Sequence, residues 1–207
     1  MRVGIINYGM GNLGSVRRAL EEINAEPLIV NHPSKLFEVD RIILPGVGAF
    51  KKGMDNLREG GWIDVINKLV MEERVPMLGI CLGMQLLGTT SEEDGLNEGL
   101  NLIPGHVKHL TKLGCLLRVP HVGWNEIKML HKNLLFDGIP DNTDFYFVHS
   151  YSFVADEKDD VVAMTYYDTY LTAAINNKHI FGTQFHPEKS SKAGFQVLLN
   201  YLSYTRC

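Results

Sequence analysis

The sequence predicts an α/β protein with a central, mostly parallel sheet, helices on both faces and extra antiparallel strands in its second half. Three observations carry this. Short apolar runs alternate with helical periodicity through the first ninety residues, the texture shifts near residue 100 to strand-length pieces broken by Gly, Asn and Asp turns, and one more amphipathic helix closes the chain. At 207 residues the chain is long enough for one sizeable core. The span 1–207 reads as a single domain, with no internal repeat, low-complexity tract or flexible linker.

Element by element, Val3-Gly4-Ile5-Ile6 reads as a core strand, and Val16, Ala19, Leu20 and Ile23 fall on one helical stripe. Pro27 to Val30 and Arg41 to Leu44 read as further strands. Trp62, Ile63, Ile66, Leu69 and Val70 form a second amphipathic helix before a strand at Met77 to Ile80. Beyond residue 100, Leu116 to Val119, Phe145 to Val148 and Val161 to Thr165 read as strands, and Phe195, Leu198, Leu199 and Leu202 mark the final helix. In a parallel sheet of this kind the ligand site is expected at the carboxyl ends of the strands.

Charge is nearly balanced at a formal −4, with no block of like charges. Nucleic acid and membrane surfaces are therefore poor candidates for partners; a small molecule or another protein is the better expectation. No apolar run approaches the roughly 18 residues of a membrane span, and the N-terminus enters a strand instead of a secretion signal, so a cytoplasmic location is expected. Cysteines at 81, 115 and 207 are odd in number and form no Cys-x-x-Cys pair, which reads as free thiols in a reducing compartment. His106-Val-Lys-His109 invites a metal reading, but strand positions three apart face opposite ways. Gly9-Met-Gly11-Asn-Leu-Gly14 follows a strand, yet no acidic residue stands where a dinucleotide ribose would need one. No metal and no cofactor are expected.

The chemistry concentrates at Gly79-Ile80-Cys81-Leu82-Gly83-Met84-Gln85, a thiol between two glycines after a buried run. Gly-x-Cys-x-Gly between strand and helix is the cysteine form of a nucleophile elbow, which holds the reactive side chain up at the end of the sheet. Glycines suit a turn that brings backbone segments too close for a Cβ. The amide of Leu82 is placed to donate to an oxyanion beside the sulfur. A plain buried cysteine beside a glycine-rich turn is the alternative. A thiol nucleophile needs a base and the base an orienting group. Gln184-Phe185-His186-Pro187-Glu188-Lys189-Ser190 offers both, because residues two apart in an extended segment share a face. By itself that segment would pass for a surface His-Pro turn.

The segments Gly79 to Leu87 and Gln184 to Ser190 resemble the two halves of the Cys-His-Glu triad of class I glutamine amidotransferases, and Pro45-Gly46-Val47-Gly48 resembles their oxyanion segment. Asn7-Tyr-Gly-Met-Gly-Asn-Leu13, His121-Val-Gly-Trp-Asn125 and Tyr146-Phe-Val-His-Ser-Tyr151 extend the likeness over essentially the whole chain. They resemble, within that family, glutaminase subunits of imidazole glycerol phosphate synthase, an enzyme of histidine biosynthesis. The resemblance implies a flavodoxin-like class I glutamine amidotransferase fold and a catalytic triad of Cys81, His186 and Glu188. It implies an oxyanion hole from Leu82 and the loop Gly46, Val47 and Gly48, with glutamine held by Gln85, Glu93, Ser150 and Tyr151. Glutamine would be the substrate, and the ammonia would pass to a (β/α)8-barrel cyclase subunit bound as a heterodimer. The resemblance places Trp124, Asn125, Tyr146 and Lys189 toward that partner.

Each of these has a plainer reading. Glu93 sits in the charged run Ser91-Glu-Glu-Asp94, which otherwise reads as a solvated loop, and Trp124 and Tyr146 would pass for ordinary core or rim aromatics. Three rival functions use the same residues: a paralogous glutaminase subunit feeding a surface-sugar synthase, a non-enzymatic redox sensor with Cys81 as its reactive thiol, and a cysteine protease.

Overall fold

The computed structural model describes residues 1–205. In chain order, the first half contains strand β1 (Arg2–Ile6), helix α1 (Leu13–Glu22), β2 (Glu26–Val30), β3 (Arg41–Gly46), α2 (Phe50–Glu59), α3 (Trp62–Asn67), β4 (Met77–Cys81) and α4 (Leu82–Leu86). The strands of the second half are β5 (Thr90–Ser91), β6 (Asn97–Glu98), β7 (Gly105–His109), β8 (His121–Met129), β9 (Asp144–His149), β10 (Tyr151–Ala155), β11 (Val161–Tyr167), β12 (Thr169–Asn177) and β13 (Ile180–Thr183), followed by helix α5 (Ser191–Ser203).

Nine strands form one sheet in the order β2-β1-β3-β4-β13-β12-β11-β8-β9. The half from β2 to β13 is parallel, and the half from β13 to β9 is antiparallel. This is the mixed sheet the change of texture near residue 100 predicts. Four short strands, β10-β7-β5-β6, form a second sheet, whose Val107 and Phe153 share a core with the large one.

Alternation along the strands builds two cores, one on each face of the large sheet. Ile42 and Leu44 of β3 pack with Phe50, Met54 and Leu57 of α2 and with Trp62 and Ile66 of α3. Val3 and Ile5 of β1 and Ile43 of β3 face the other way, onto Val16, Ala19 and Leu20 of α1 and Val197, Leu198 and Tyr201 of α5. The buried Tyr201 hydroxyl reaches the carbonyls of Ile42 and Pro76 at 2.8 and 3.0 Å, fastening α5 under the sheet.

Several local expectations need correction. Helix α2 is unanticipated from the sequence, because Lys51, Lys52, Asp55 and Arg58 mask a thin buried stripe of Phe50, Gly53, Met54 and Leu57. The expected helix from Trp62 to Val70 is α3 followed by a π-helical turn at Lys68–Glu72. Leu116 to Val119 is no strand: Leu116 and Leu117 face solvent, Leu116 being 91% exposed, Val119 packs on the small cluster of Leu110, Cys115 and Leu171, and the Leu116 amide is taken by the Asp168 carboxylate. Leu199 is exposed, and Tyr201 takes the place expected for it in the buried stripe of α5. Cys81 and Cys115 are buried free thiols, whereas Cys207 lies outside the described residues. Among the described residues no helix is long and apolar enough to cross a membrane, and no group of three or more His, Cys, Asp or Glu side chains is arranged to hold a metal ion.

The tightest packing lies where β4 turns into α4. A Cβ on Gly83 would stand 1.8 Å from the Leu44 carbonyl oxygen, and one on Gly79 would stand 2.6 Å from that of Gly83. Gly14, by contrast, has only the Asn12 side chain at 4.0 Å. Gly83→Ala is therefore expected to destabilise the protein by about 3 kcal/mol or more. Gly14→Ala, in the first turn of α1, is expected to stabilise it by about 0.5–1 kcal/mol. Chemical denaturation of the two variants checks both signs.

Candidate active site

Parallel pairing brings the ends of three strands together. Gly46 at the end of β3 pairs with Cys81 at the end of β4, and Thr183 at the end of β13 pairs with Ile80. The chain beyond β13, from Gln184 to Ser190, thus passes beside the thiol at the carboxyl edge of the sheet.

Cys81 adopts φ 55° and ψ −111°, a left-handed conformation that a residue with a Cβ rarely takes. The flanking packing enforces it: Gly79 and Gly83 let the turn close, and a Cβ on Gly46 would meet the Gly83 nitrogen and the Tyr8 hydroxyl, each at 2.7 Å. Tyr8 in turn donates to the Pro45 carbonyl at 2.8 Å. The helix that follows is only five residues long, and Cys81 is its N-cap residue without a side-chain cap bond, so the amides of its first turn are left free at this end of the sheet.

A cavity of about 290 Å3 opens over the thiol, and Cys81 and His186 both line it. His186 and Glu188 are joined by a 2.8 Å bond from Nδ1 to Oε1, with both side chains only 2% exposed. The His186 Nε2 is buried and has no hydrogen-bond partner. Burial pulls the imidazolium toward the neutral form, but the Cys81 thiol and the Glu188 carboxylate outweigh it and lift its pKa to about 9. Ser190 fastens this segment: its hydroxyl donates to the His186 carbonyl at 2.7 Å and accepts the Tyr146 amide at 3.0 Å. An imidazole oriented at one nitrogen and open at the other beside a thiol can carry a proton to and from a reacting group.

Of the other residues singled out in the sequence, Val47, Gly48, Leu82, Gln85 and Glu93 line the same cavity, as do Ser150 and Tyr151. Gly46 lies beneath, packed against the elbow. Glu93 accepts the Phe50 amide at 2.8 Å, so this part of the charged run is folded in, half-buried, against the start of α2. Burial raises its carboxyl pKa, against the lowering effect of that amide. Gln85 spends its amide hydrogens on the Tyr151 carbonyl at 3.0 Å and Gln184 Oε1 at 2.9 Å, which leaves its own carbonyl oxygen to meet a ligand.

Trp124, Tyr146 and Lys189 cluster beside the histidine. Trp124, 54% exposed, packs edge-on to Tyr146 at 6.1 Å, the Lys189 ammonium stands 5.7 Å from the Tyr146 ring centre, and that ring lies 6.5 Å from His186. Asn125 does not join them. As the next residue along β8 it faces the other side of the sheet, bonded to the Tyr166 carbonyl at 2.9 Å and His121 at 3.3 Å.

Three polar residues at the site escape the sequence reading. Gln184 bridges Gln85 to the thiol, with its Nε2 3.7 Å from Sγ. His149 lines the cavity, and His121 stands 3.0 Å behind it. Gln184 is legible in hindsight from its place two positions before His186, although the tail is not the extended segment the sequence predicts: it bends at Gln184 and Phe185 and closes a 3-10 turn at Pro187–Lys189, across which His186 Nδ1 meets Glu188. The histidines are not, since only the pairing of β8 with β9 sets them face to face.

The class-I glutamine amidotransferase family profile matches residues 4–202. The HisH 2 subunit of imidazole glycerol phosphate synthase from Methanococcus maripaludis is 43% identical over 200 residues, covering 97% of this chain and 98% of its own. The HisH subunit of Moorella thermoacetica is 46% identical over 199 residues, with 96% and 93% covered. A crystal structure of a glutamine amidotransferase superposes with a TM-score of 0.76 at 19% identity, over 97% of this chain and 96% of that one, a likeness of fold. The chain belongs to the class I glutamine amidotransferases, and among them to the family of HisH subunits of imidazole glycerol phosphate synthase.

Proposed function

We propose that the chain is the glutaminase subunit of imidazole glycerol phosphate synthase, hydrolysing glutamine to glutamate and ammonia for a partner subunit in histidine biosynthesis. The single observation that carries the chemistry is the meeting of Cys81 and the Glu188-bound His186 in one cavity at the carboxyl edge of the sheet. The near-full-length identity to HisH subunits carries the choice of pathway.

Cys81 attacks the side-chain amide carbon of glutamine as the thiolate, its proton held on His186 Nε2, and the oxygen becomes an oxyanion received by the Leu82 amide and an amide of the Gly46–Gly48 loop. One such donor is worth about 2.7–4 kcal/mol. As the carbon–nitrogen bond breaks, His186 gives the Nε2 proton to the departing ammonia. Water then attacks the thioester, His186 takes its proton, and the carbon–sulfur bond breaks to release glutamate. Glu188 stays ionised and holds the imidazole in register. Gln85, Glu93 and the backbone at Ser150 and Tyr151 grip the amino-acid end of the substrate.

The partner is a (β/α)8-barrel cyclase that covers the cavity mouth as a heterodimer and receives the ammonia, and the pair works in the cytoplasm as one amidotransferase domain docked on one barrel. Support for this face comes from Trp124, Val122 and Val47, each at least half exposed, with Val47 on the cavity rim. Tyr146 and Lys189 extend the same face beside His186.

Cys81→Ala is expected to abolish glutamine-dependent product formation by the assembled synthase while synthesis from free ammonium continues; loss of both in that assay would show the site misassigned. The isolated chain is expected to release glutamate slowly and to accelerate when the cyclase is added, because the exposed Val47 loop completes the oxyanion hole only when docked. Fast turnover by the chain alone contradicts this.

His186 is protonated below about 9 and loses its proton above it. The kcat/KM for glutamate release should therefore hold through pH 7–8 and fall as pH rises through about 9. In Glu188→Gln the limb should move to lower pH, with the rate down at least about a hundredfold. A limb that stays in place in the variant would belong to another group, such as the substrate amine.

A further inference from the structure

Behind the glutamine site runs a chain of buried hydrogen bonds that the thioester chemistry does not use. It begins with His121 on β8 and His149 on β9, directly opposed in the antiparallel pair and only 3% and 6% exposed. His149 Nδ1 lies 2.8 Å from the Tyr151 carbonyl oxygen, which can only accept, so Nδ1 carries the proton and Nε2 is an acceptor. His121 Nδ1, 3.0 Å from that Nε2, must therefore donate. His121 Nε2 is left to accept from Asn125 Nδ2 at 3.3 Å, and the Tyr166 carbonyl at 2.9 Å fixes which end of the Asn125 amide points there. Every proton in the run has one position. Burial pushes the pKa of His121 down to about 4 and that of His149 to about 3, which keeps both rings neutral as this order requires.

The run ends on a carbonyl that matters to the site. The Tyr151 oxygen takes the His149 proton from one side and Gln85 Nε2 from the other, and Gln85 also holds Gln184, whose amide reaches the Cys81 sulfur. We infer that the His121–His149 pair is a positioning element of the glutamine pocket: its two directed hydrogen bonds hold the Tyr151 carbonyl on which Gln85 is hung, and through Gln85 they set the affinity for glutamine. The inference deepens the glutaminase reading and rests on it. His149 is itself part of the cavity wall, so a ring released from His121 turns into the space the substrate occupies.

Two substitutions separate this role from simple packing. His121 lies in an aromatic slot, stacked on Tyr167 at 4.1 Å and on Phe147 at 5.0 Å. Phe fills that slot and offers no donor. Asn leaves a void but keeps a donor where Nδ1 was. Stability and substrate affinity should therefore move in opposite orders.

The test is steady-state kinetics of the complete synthase complex carrying His121→Phe or His121→Asn, on glutamine and on ammonium, with a thermal melt of each. The expected result is that His121→Phe raises KM for glutamine about tenfold with kcat within about threefold, the size of a lost buried hydrogen bond. Product formation from ammonium stays unchanged, and His121→Asn keeps KM within about threefold of the parent although it melts at a lower temperature. Asn125→Leu, which leaves both rings in place, is expected to raise KM in the same direction by about threefold. Equal KM shifts in the Phe and Asn variants, no shift in either Phe or Leu, or a loss confined to kcat would overturn the relay. An unsubstituted complex that makes product from ammonium but never from glutamine would instead sink the glutaminase reading beneath it.

Discussion

The approach of the β4–α4 turn to the end of β3 is the constraint on which the site depends. The Gly83 Cα sits so close under the Leu44 carbonyl that no side chain fits, and Gly79 and Gly46 are pressed against the same turn. With its neighbours fixed, Cys81 is held at φ 55°, a conformation that costs a residue with a Cβ about 1–3 kcal/mol. Two packed cores, one on each face of the sheet, hold the turn in place. What the strain achieves is direction: the sulfur points out of the sheet edge into the cavity, while the rest of the turn stays in close-packed backbone.

The second constraint is topological. Because β13 returns parallel to β4, the tail emerges at the same edge as the elbow, although about a hundred residues separate them. Pro187 follows His186 directly, and the Ser190 hydroxyl ties the His186 carbonyl to the Tyr146 amide, so the segment between β13 and α5 has little freedom. Position is thereby settled before any substrate binds. The Glu188 carboxylate then only has to fix the rotation of one ring.

These two constraints explain what was legible in the sequence. The elbow was readable because close backbone approach demands glycine at fixed offsets, and His186 with Glu188 was readable as a pair, although the carboxylate reaches the ring across a 3-10 turn at Pro187–Lys189 and not along an extended segment. Most strands of the large sheet were readable from apolar runs. Helix α2 was not, since its buried stripe of Phe50, Gly53, Met54 and Leu57 includes a glycine and its remaining face carries charge. Leu116 to Val119 misled for the opposite reason: an apolar run says that burial is favourable, not that a neighbouring strand is there to receive it. His121 and His149 meet through the register of β8 against β9, which no local pattern encodes, and the opposite facing of Asn125 follows from alternation along β8, a strand that no apolar run marks.

Polar groups around the cavity are mostly committed to one another. Gln85 is held by Tyr151 and Gln184, Glu93 by the Phe50 amide, and Tyr8 by Pro45. His186 Nε2 and Glu188 Oε2 are the exceptions, buried side-chain atoms of the same pair with no hydrogen-bond partner among the described residues. Leaving such a group unpaired costs about 1–3 kcal/mol, and native structures tolerate few of them. In the mechanism proposed above, the open Nε2 is the nitrogen that faces the leaving amine. On that proposal the pairing would be completed only as the carbon–nitrogen bond breaks, so the interaction would strengthen toward the transition state and not in the resting complex, which is the condition for it to raise the rate instead of merely tightening binding.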